Sequence, residues 1–259
     1  MAINSTILTQ KESDLIEKLI AKCGLFVDFG QISEQLGTGM TNQEVKNVVG
    51  RLLKRGWLVR LKRGVYYITT LESRGTANVS VYVIAQVLAD DAYVSFEAAL
   101  QHHGIFDQYL KTITSLSLKN HSTQELQGTK YEFIKTSQVN FYGWEETRME
   151  GKLVKIATLE KAVLDMLSTR RTLYSMDLIL EKFREYKDNF NFERLYEFSK
   201  KQTIASSRIL GFLLDRAGLD STKIYSQVKS AKGISRMMID SKLYDSKWRL
   251  YYHNIFEQN

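Results

Sequence analysis

Six polar residues recur at helical spacing along one stretch: Asn42, Gln43, Lys46, Asn47, Arg51 and Lys54. Asparagine and glutamine pair with adenine edges, and arginine or lysine with O6 and N7 of guanine, so such a face suits the major groove of duplex DNA. Arg60, Lys62 and Arg63 follow shortly after and suit phosphates or a minor groove. A polar helix face can also serve solvation alone, so the DNA reading depends on the elements around these residues.

Other residue types with chemical potential are poorly placed. His102 and His103 are adjacent, about 100° apart on a helix, and no HExxH spacing or cysteine partner accompanies them. Glu145 and Glu146 would face opposite sides of a strand. Cys23, the single cysteine, ends an apolar run and reads as a boundary residue. No phosphate loop, dinucleotide fingerprint or nucleophile elbow is present. The expectation is a protein with no catalytic residues, no metal and no cofactor.

The elements that must position the polar face are clear in the first 70 residues. Leu15, Ile16, Leu19 and Ile20 lie at helical spacing over 11–23, and Thr9 with Glu12 has capping-box spacing. A short helix is expected over 29–36, with Ile32 and Leu36 inward, followed by the turn Gly37-Thr38-Gly39-Met40. Thr41 with Glu44 opens a third helix that turns Val45, Val48, Val49, Leu52 and Leu53 inward and the polar set outward. Two β-like runs, 57–61 and 65–68, meet at Lys62-Arg63-Gly64 as a hairpin with a basic tip. Helix, helix, turn, amphipathic helix and basic hairpin is the order of a winged helix-turn-helix.

Beyond it, a linker is expected over 71–79 and a larger mixed domain over 80–259. Helices are expected from 81, from Ser95-Phe96-Glu97 and from Thr158. Period-2 runs at 113–118, 131–134, 139–144 and 153–156 read as a small antiparallel sheet, with Glu150-Gly151 as a turn. Helical patterns dominate 172–230, and 247–253 alternates like a strand returning to the sheet. The fold class is therefore α+β: an N-terminal winged helix-turn-helix, then a mixed domain with a helical tail.

The 259 residues are 44% hydrophobic and 25% charged, which excludes disordered and fibrous classes. Proline is absent, so turns rely on Gly, Asn, Asp and Ser. No apolar run approaches a membrane span, and Met1–Gln10 lacks a basic-then-apolar leader pattern; a cytoplasmic protein is expected. The net charge of +7 is unevenly spread: residues 1–75 carry +4, 76–150 carry −4 and 151–259 carry +7. Basic residues of the tail, among them Arg170, Arg171, Lys200, Lys201 and Arg208, are candidates for a second basic surface on nucleic acid, although acids are interspersed with them.

Four ordered stretches resemble the AbiEi family, antitoxins and transcriptional regulators of the AbiE abortive-infection system. They are the hairpin end Arg63-Gly64-Val65-Tyr66-Tyr67-Ile68, the run from Tyr93 to Gly104 around Ser95-Phe96-Glu97, the run from Ile156 to Asp165, and Arg208–Leu214 with Trp248 beyond. Together they span nearly the whole chain. The family commonly has a proline between the wing and the Ser-Phe-Glu segment, and this chain has none. The resemblance implies an autorepressor that binds inverted repeats in double-stranded DNA upstream of its own operon. It also implies an antitoxin of a type IV toxin–antitoxin pair in antiviral defence. Its counterpart would be a nucleotidyltransferase-like toxin, opposed without a stable complex. Two other classes stay open on the residues alone: an enzyme acting on nucleotides or RNA through the C-terminal part, and a protein-interaction adaptor.

Overall fold

The computed structural model describes residues 7–257. The Met1–Gln10 reading falls partly on residues outside them. The described residues contain ten α-helices and three small sheets, a mixed α+β architecture. They divide into two compact units: 1–90 with 125–129 and 148–154, and 91–124 with 130–147 and 155–259.

In the first unit, α1 (Gln10–Cys23) and α3 (Asn42–Lys54) both start with complete capping boxes, Thr9 with Glu12 and Thr41 with Glu44. Between them lie β1 (Phe26–Asp28) and α2 (Phe29–Leu36), where Asp28 and Gln31 make a third capping box. Each box satisfies two N–H groups that a helix start otherwise leaves open. The hairpin is β2 (Leu58–Lys62) and β3 (Val65–Ile68), and β1 adds antiparallel to β3 for a three-stranded sheet ordered β1-β3-β2. Leu15, Leu19, Ile32, Val45, Leu52 and Ile68 form the shared core.

The 69–79 stretch is irregular but anchored. Thr69 is buried and donates its hydroxyl to Gly56 O at 2.6 Å, and the Arg74 guanidinium lies 4.2 Å from the centre of the Trp57 ring. Helix α4 (Val81–Leu88) follows, capped by Ser80.

The largest sheet has six strands. Its strands are β4 (Ala92–Val94), β5 (Thr112–Ser117), β6 (Gln124–Leu126), β7 (Thr129–Lys135), β8 (Trp144–Met149) and β9 (Lys152–Ala157), in the order β6-β7-β5-β4-β9-β8. The expected antiparallel sheet is in fact mixed: β5 runs parallel to β7 and β4 parallel to β9, while β4 and β5 are antiparallel. Alternation along a strand reports which face is buried, not which way its neighbour runs. The run at 139–144 is not a strand. It begins with a single 3-10 turn, Gln138–Asn140, leaves Val139 exposed, and reaches β8 only after Gly143 at φ +73°.

Around this sheet pack α5 (Phe96–His102), α6 (Leu159–Thr169), α7 (Leu173–Glu185), α8 (Phe192–Ser199), α9 (Ile204–Arg216) and α10 (Thr222–Val228). Every residue of α6 from Leu159 to Leu167 is buried, as is every residue of α9 from Ser206 to Leu214. Helices buried all round are central ones. The chain end does not rejoin the large sheet. β10 (Ser235–Arg236), β11 (Leu243–Asp245) and β12 (Leu250–Tyr252) make a separate sheet ordered β10-β12-β11. Trp248 stays at its edge because α9 holds it: the ring is buried and its Nε1 donates to Asp215 at 2.7 Å.

Candidate functional site

Helix α3 separates its faces cleanly. Val45, Val48, Val49 and Leu52 are buried, while Asn42, Gln43, Lys46, Asn47, Arg51 and Lys54 are all exposed. Gln43 Nε2 donates to Asn47 Oδ1 at 3.1 Å, which orients the two amides as a pair. Arg51 is partly committed. Its Nε donates to Glu12 Oε1 at 3.2 Å, and Arg55 reaches the other oxygen of the same carboxylate at 2.8 Å. Burial pushes the Glu12 carboxyl up, but hydrogen bonds from Thr9 and Arg51 and the charge of Arg55 outweigh it and hold the group below the usual carboxylate range. Glu12 thus has two roles, capping α1 and clamping α3. The second was not visible in the sequence.

At the hairpin, Arg60 and Arg63 are exposed. Lys62 is half-buried and donates to Leu88 O at 3.4 Å, so it is less available than its neighbours. The register shifts between Arg60 and Lys62, and Gly64 takes φ +76°, a conformation only glycine adopts freely. Gly64 O accepts from Phe29 N at 2.9 Å, tying the tip to the start of α2.

Of the five tail residues, Arg208 is buried and three more are held by partners within the fold. Arg208 is 2% exposed and spends its guanidinium on Ser235 Oγ and Ala231 O. Arg170 pairs with Glu132 at 3.2 Å and Glu97 at 3.6 Å. Arg171 donates to Leu167 O and Ser206 Oγ, and Lys200 pairs with Glu197. Lys201 is exposed, 4.1 Å from the centre of the Tyr142 ring. Sequence spacing marked these as cations; what it could not show is that the fold already engages four of them.

The second unit also contains a buried polar centre absent from the sequence reading. Lys161 and Asp165, one turn apart on α6, form an ion pair with both side chains about 98% buried (1% and 2% exposed). Asp165 Oδ2 also accepts from Ser95 Oγ at 2.7 Å and Tyr93 OH at 3.1 Å. The Lys161 ammonium sits 4.5 Å from the Tyr142 ring centre and 5.7 Å from that of Tyr93. Burial pushes the Asp165 carboxyl up, against the pull of Lys161 and the two hydroxyls. Burial and the facing carboxylate push the Tyr93 phenol far above its ordinary range, so it stays a donor.

This centre explains a departure at α5. Ser95 occupies the cap position but makes no cap hydrogen bond, because its hydroxyl is used by Asp165. Phe96, fully buried, takes φ +57°, a left-handed backbone that costs a non-glycine residue about 1–3 kcal/mol. Glu160 on α6 is likewise engaged, accepting from Asn191 N at 2.7 Å and facing Arg194 Nε at 2.9 Å.

No protein-family model and no curated protein matches this chain. Among solved structures it is similar in fold to the crystal structure of the Rv2827c protein from Mycobacterium tuberculosis. The TM-score is 0.68 at 13% sequence identity, over 94% of this chain and 92% of that one. The likeness spans both units and concerns the fold.

The remaining candidates make contacts within the fold. His103 Nε2 lies 2.8 Å from Ala157 O, and the two histidine rings meet edge-on with centres 5.1 Å apart. Burial and the neighbouring His103 lower the pKa of His102. Glu145 pairs with Arg194 at 3.1 Å, and Cys23 is half-buried against the core of the first unit. No helix among the described residues is long and apolar enough to cross a membrane.

Proposed function

We propose that this protein is a sequence-specific, double-stranded-DNA-binding autorepressor, with its first unit acting as a winged helix-turn-helix. In this reading α3 is the recognition helix. Asn42, Gln43, Asn47 and the free end of Arg51 read base edges, while Lys46 and Lys54 contact phosphate. Arg60 and Arg63 are the wing contacts, with Lys62 in support. The observation that carries the reading is the exposed amide and cation face of α3, in the same unit as a basic hairpin tip.

The resemblance to AbiEi antitoxins extends the proposal. The protein represses its own operon through inverted repeats upstream. It also counters a cognate nucleotidyltransferase-like toxin without a stable complex. Co-expression with the neighbouring toxin gene tests that part: growth is restored if the proposal holds, and arrest despite full expression overturns it.

DNA binding is tested by fluorescence anisotropy with DNA from immediately upstream of the gene against shuffled DNA, at two salt concentrations. The expected result is a preference for upstream DNA that survives the higher salt. Equal, salt-sensitive binding to both would overturn sequence-specific recognition, because phosphate contacts alone then account for the affinity.

A further inference from the structure

A cavity of about 390 Å³ opens in the second unit above the buried polar centre. That volume falls within the range of small-molecule sites. Its wall includes three ammonium groups, Lys135, Lys161 and Lys201, against a single carboxylate, Asp165. That carboxylate is already met by Lys161, Ser95 and Tyr93. Its charge is therefore answered from within the fold, and the surplus at the cavity belongs to Lys135 and Lys201.

What sets these two lysines apart is that they line this cavity. In the same unit Arg170, Lys182, Arg194, Lys200, Lys223 and Lys247 each face a carboxylate. Lys135 and Lys201 face none among the described residues, and both line one cavity. Thr136, Ser137 and Asn140 add neutral donors to the same wall. Thr203, the N-cap of the 13-residue helix α9, lines it too and brings the positive end of that helix close. Flat aromatic recognition is not offered, since ammonium groups of both Lys161 and Lys201 already lie against the Tyr142 ring. Unpaired ammonium groups with hydroxyl and amide donors suit a compact, multiply charged oxyanion.

We propose that this cavity binds a small phosphate-bearing ligand, its phosphate held by Lys135 and Lys201 over the Lys161–Asp165 floor. The site is independent of the winged-helix reading and uses none of the α3 or hairpin residues. Isothermal titration calorimetry of the full chain with inorganic phosphate, pyrophosphate and ATP tests it, at fixed ionic strength set with sodium chloride. Saturable binding of at least one of the three is expected, weakened tenfold or more in Lys135→Ala/Lys201→Ala and unchanged in Arg63→Ala. Both substituted lysines are exposed and carry no ion pair, so the melting temperature of the double variant should match the wild type. The ranking of the three ligands distinguishes free phosphate from a nucleotide's phosphates. Absence of binding by all three overturns the proposal. So does an affinity indifferent to the double substitution, or one lost in Arg63→Ala, which would locate the phosphate at the hairpin.

Discussion

Two side-chain environments make firm demands on single residues. The Lys161–Asp165 pair is enclosed, so losing one partner leaves a buried charge without its counter-ion, which typically costs about 3–5 kcal/mol. Lys161→Met should therefore lower the unfolding free energy by about that much in urea titrations. Lys161→Met/Asp165→Leu should recover part of the loss, though not all, because Ser95 and Tyr93 lose their acceptor. A loss under about 1 kcal/mol for the single variant would mean water reaches the pair. Gly211 makes a different demand. In an ordinary helix, alanine would gain about 1 kcal/mol over glycine. Here a Cβ would lie 2.0–2.5 Å from three atoms of the buried Trp248 ring. Sterics win over propensity, and Gly211→Ala should destabilise by about 2 kcal/mol or more. A melting temperature at or above wild type would show that Trp248 can move aside.

At the scale of elements, Glu12 couples α1 to α3, and the coupling depends on its charge. The folded-state pKa lies below the ordinary carboxylate value. The stability it contributes is therefore fully present above about pH 4.3 and lost as pH falls through the folded value. Glu12→Gln should lower the melting temperature at pH 7 by several degrees and flatten its fall between about pH 5 and 3. An unchanged acid limb would mean other carboxylates control it. These first elements were legible because local rules sufficed: the capping boxes at Thr9 and Thr41 and the apolar period of α3 all hold. Strand β1 escaped because three residues are too few for a period, and it declares itself only by pairing Phe26 with Tyr67. The Lys161–Asp165 pair escaped because lysine and aspartate four apart usually mark a wet helix face. One signal was present: Leu164 falls between Glu160 and Lys161 on the helical wheel, so α6 has no continuous polar stripe. Arg208 shows the reverse, since spacing cannot tell an exposed arginine from one sealed against Ser235 and Ala231.

For the whole molecule the question is which of its positive charges a nucleic acid would meet. The sequence places the largest excess, +7, in residues 151–259. Much of that excess is locally answered: Arg194, Lys200, Lys223 and Lys247 face carboxylates, and Arg208 is buried. In residues 1–75 the cations of the α3 face and hairpin tip are mostly exposed and unanswered, Arg51 excepted. If binding runs through them, the slope of log affinity against log salt counts their phosphate contacts at about 0.9 each. Arg63→Ala should then weaken binding evenly across sequences and reduce the slope by about 1. Asn47→Ala should leave the slope alone and cost about 1–3 kcal/mol at one base position, or somewhat less, because Gln43 can re-form part of the contact. Lys200→Ala, remote in sequence and already paired with Glu197, should change neither quantity. Anisotropy titrations of the four proteins over a series of salt concentrations decide the matter. A slope that drops for Lys200→Ala and stays put for Arg63→Ala would move the nucleic-acid interface from the α3 face to the tail.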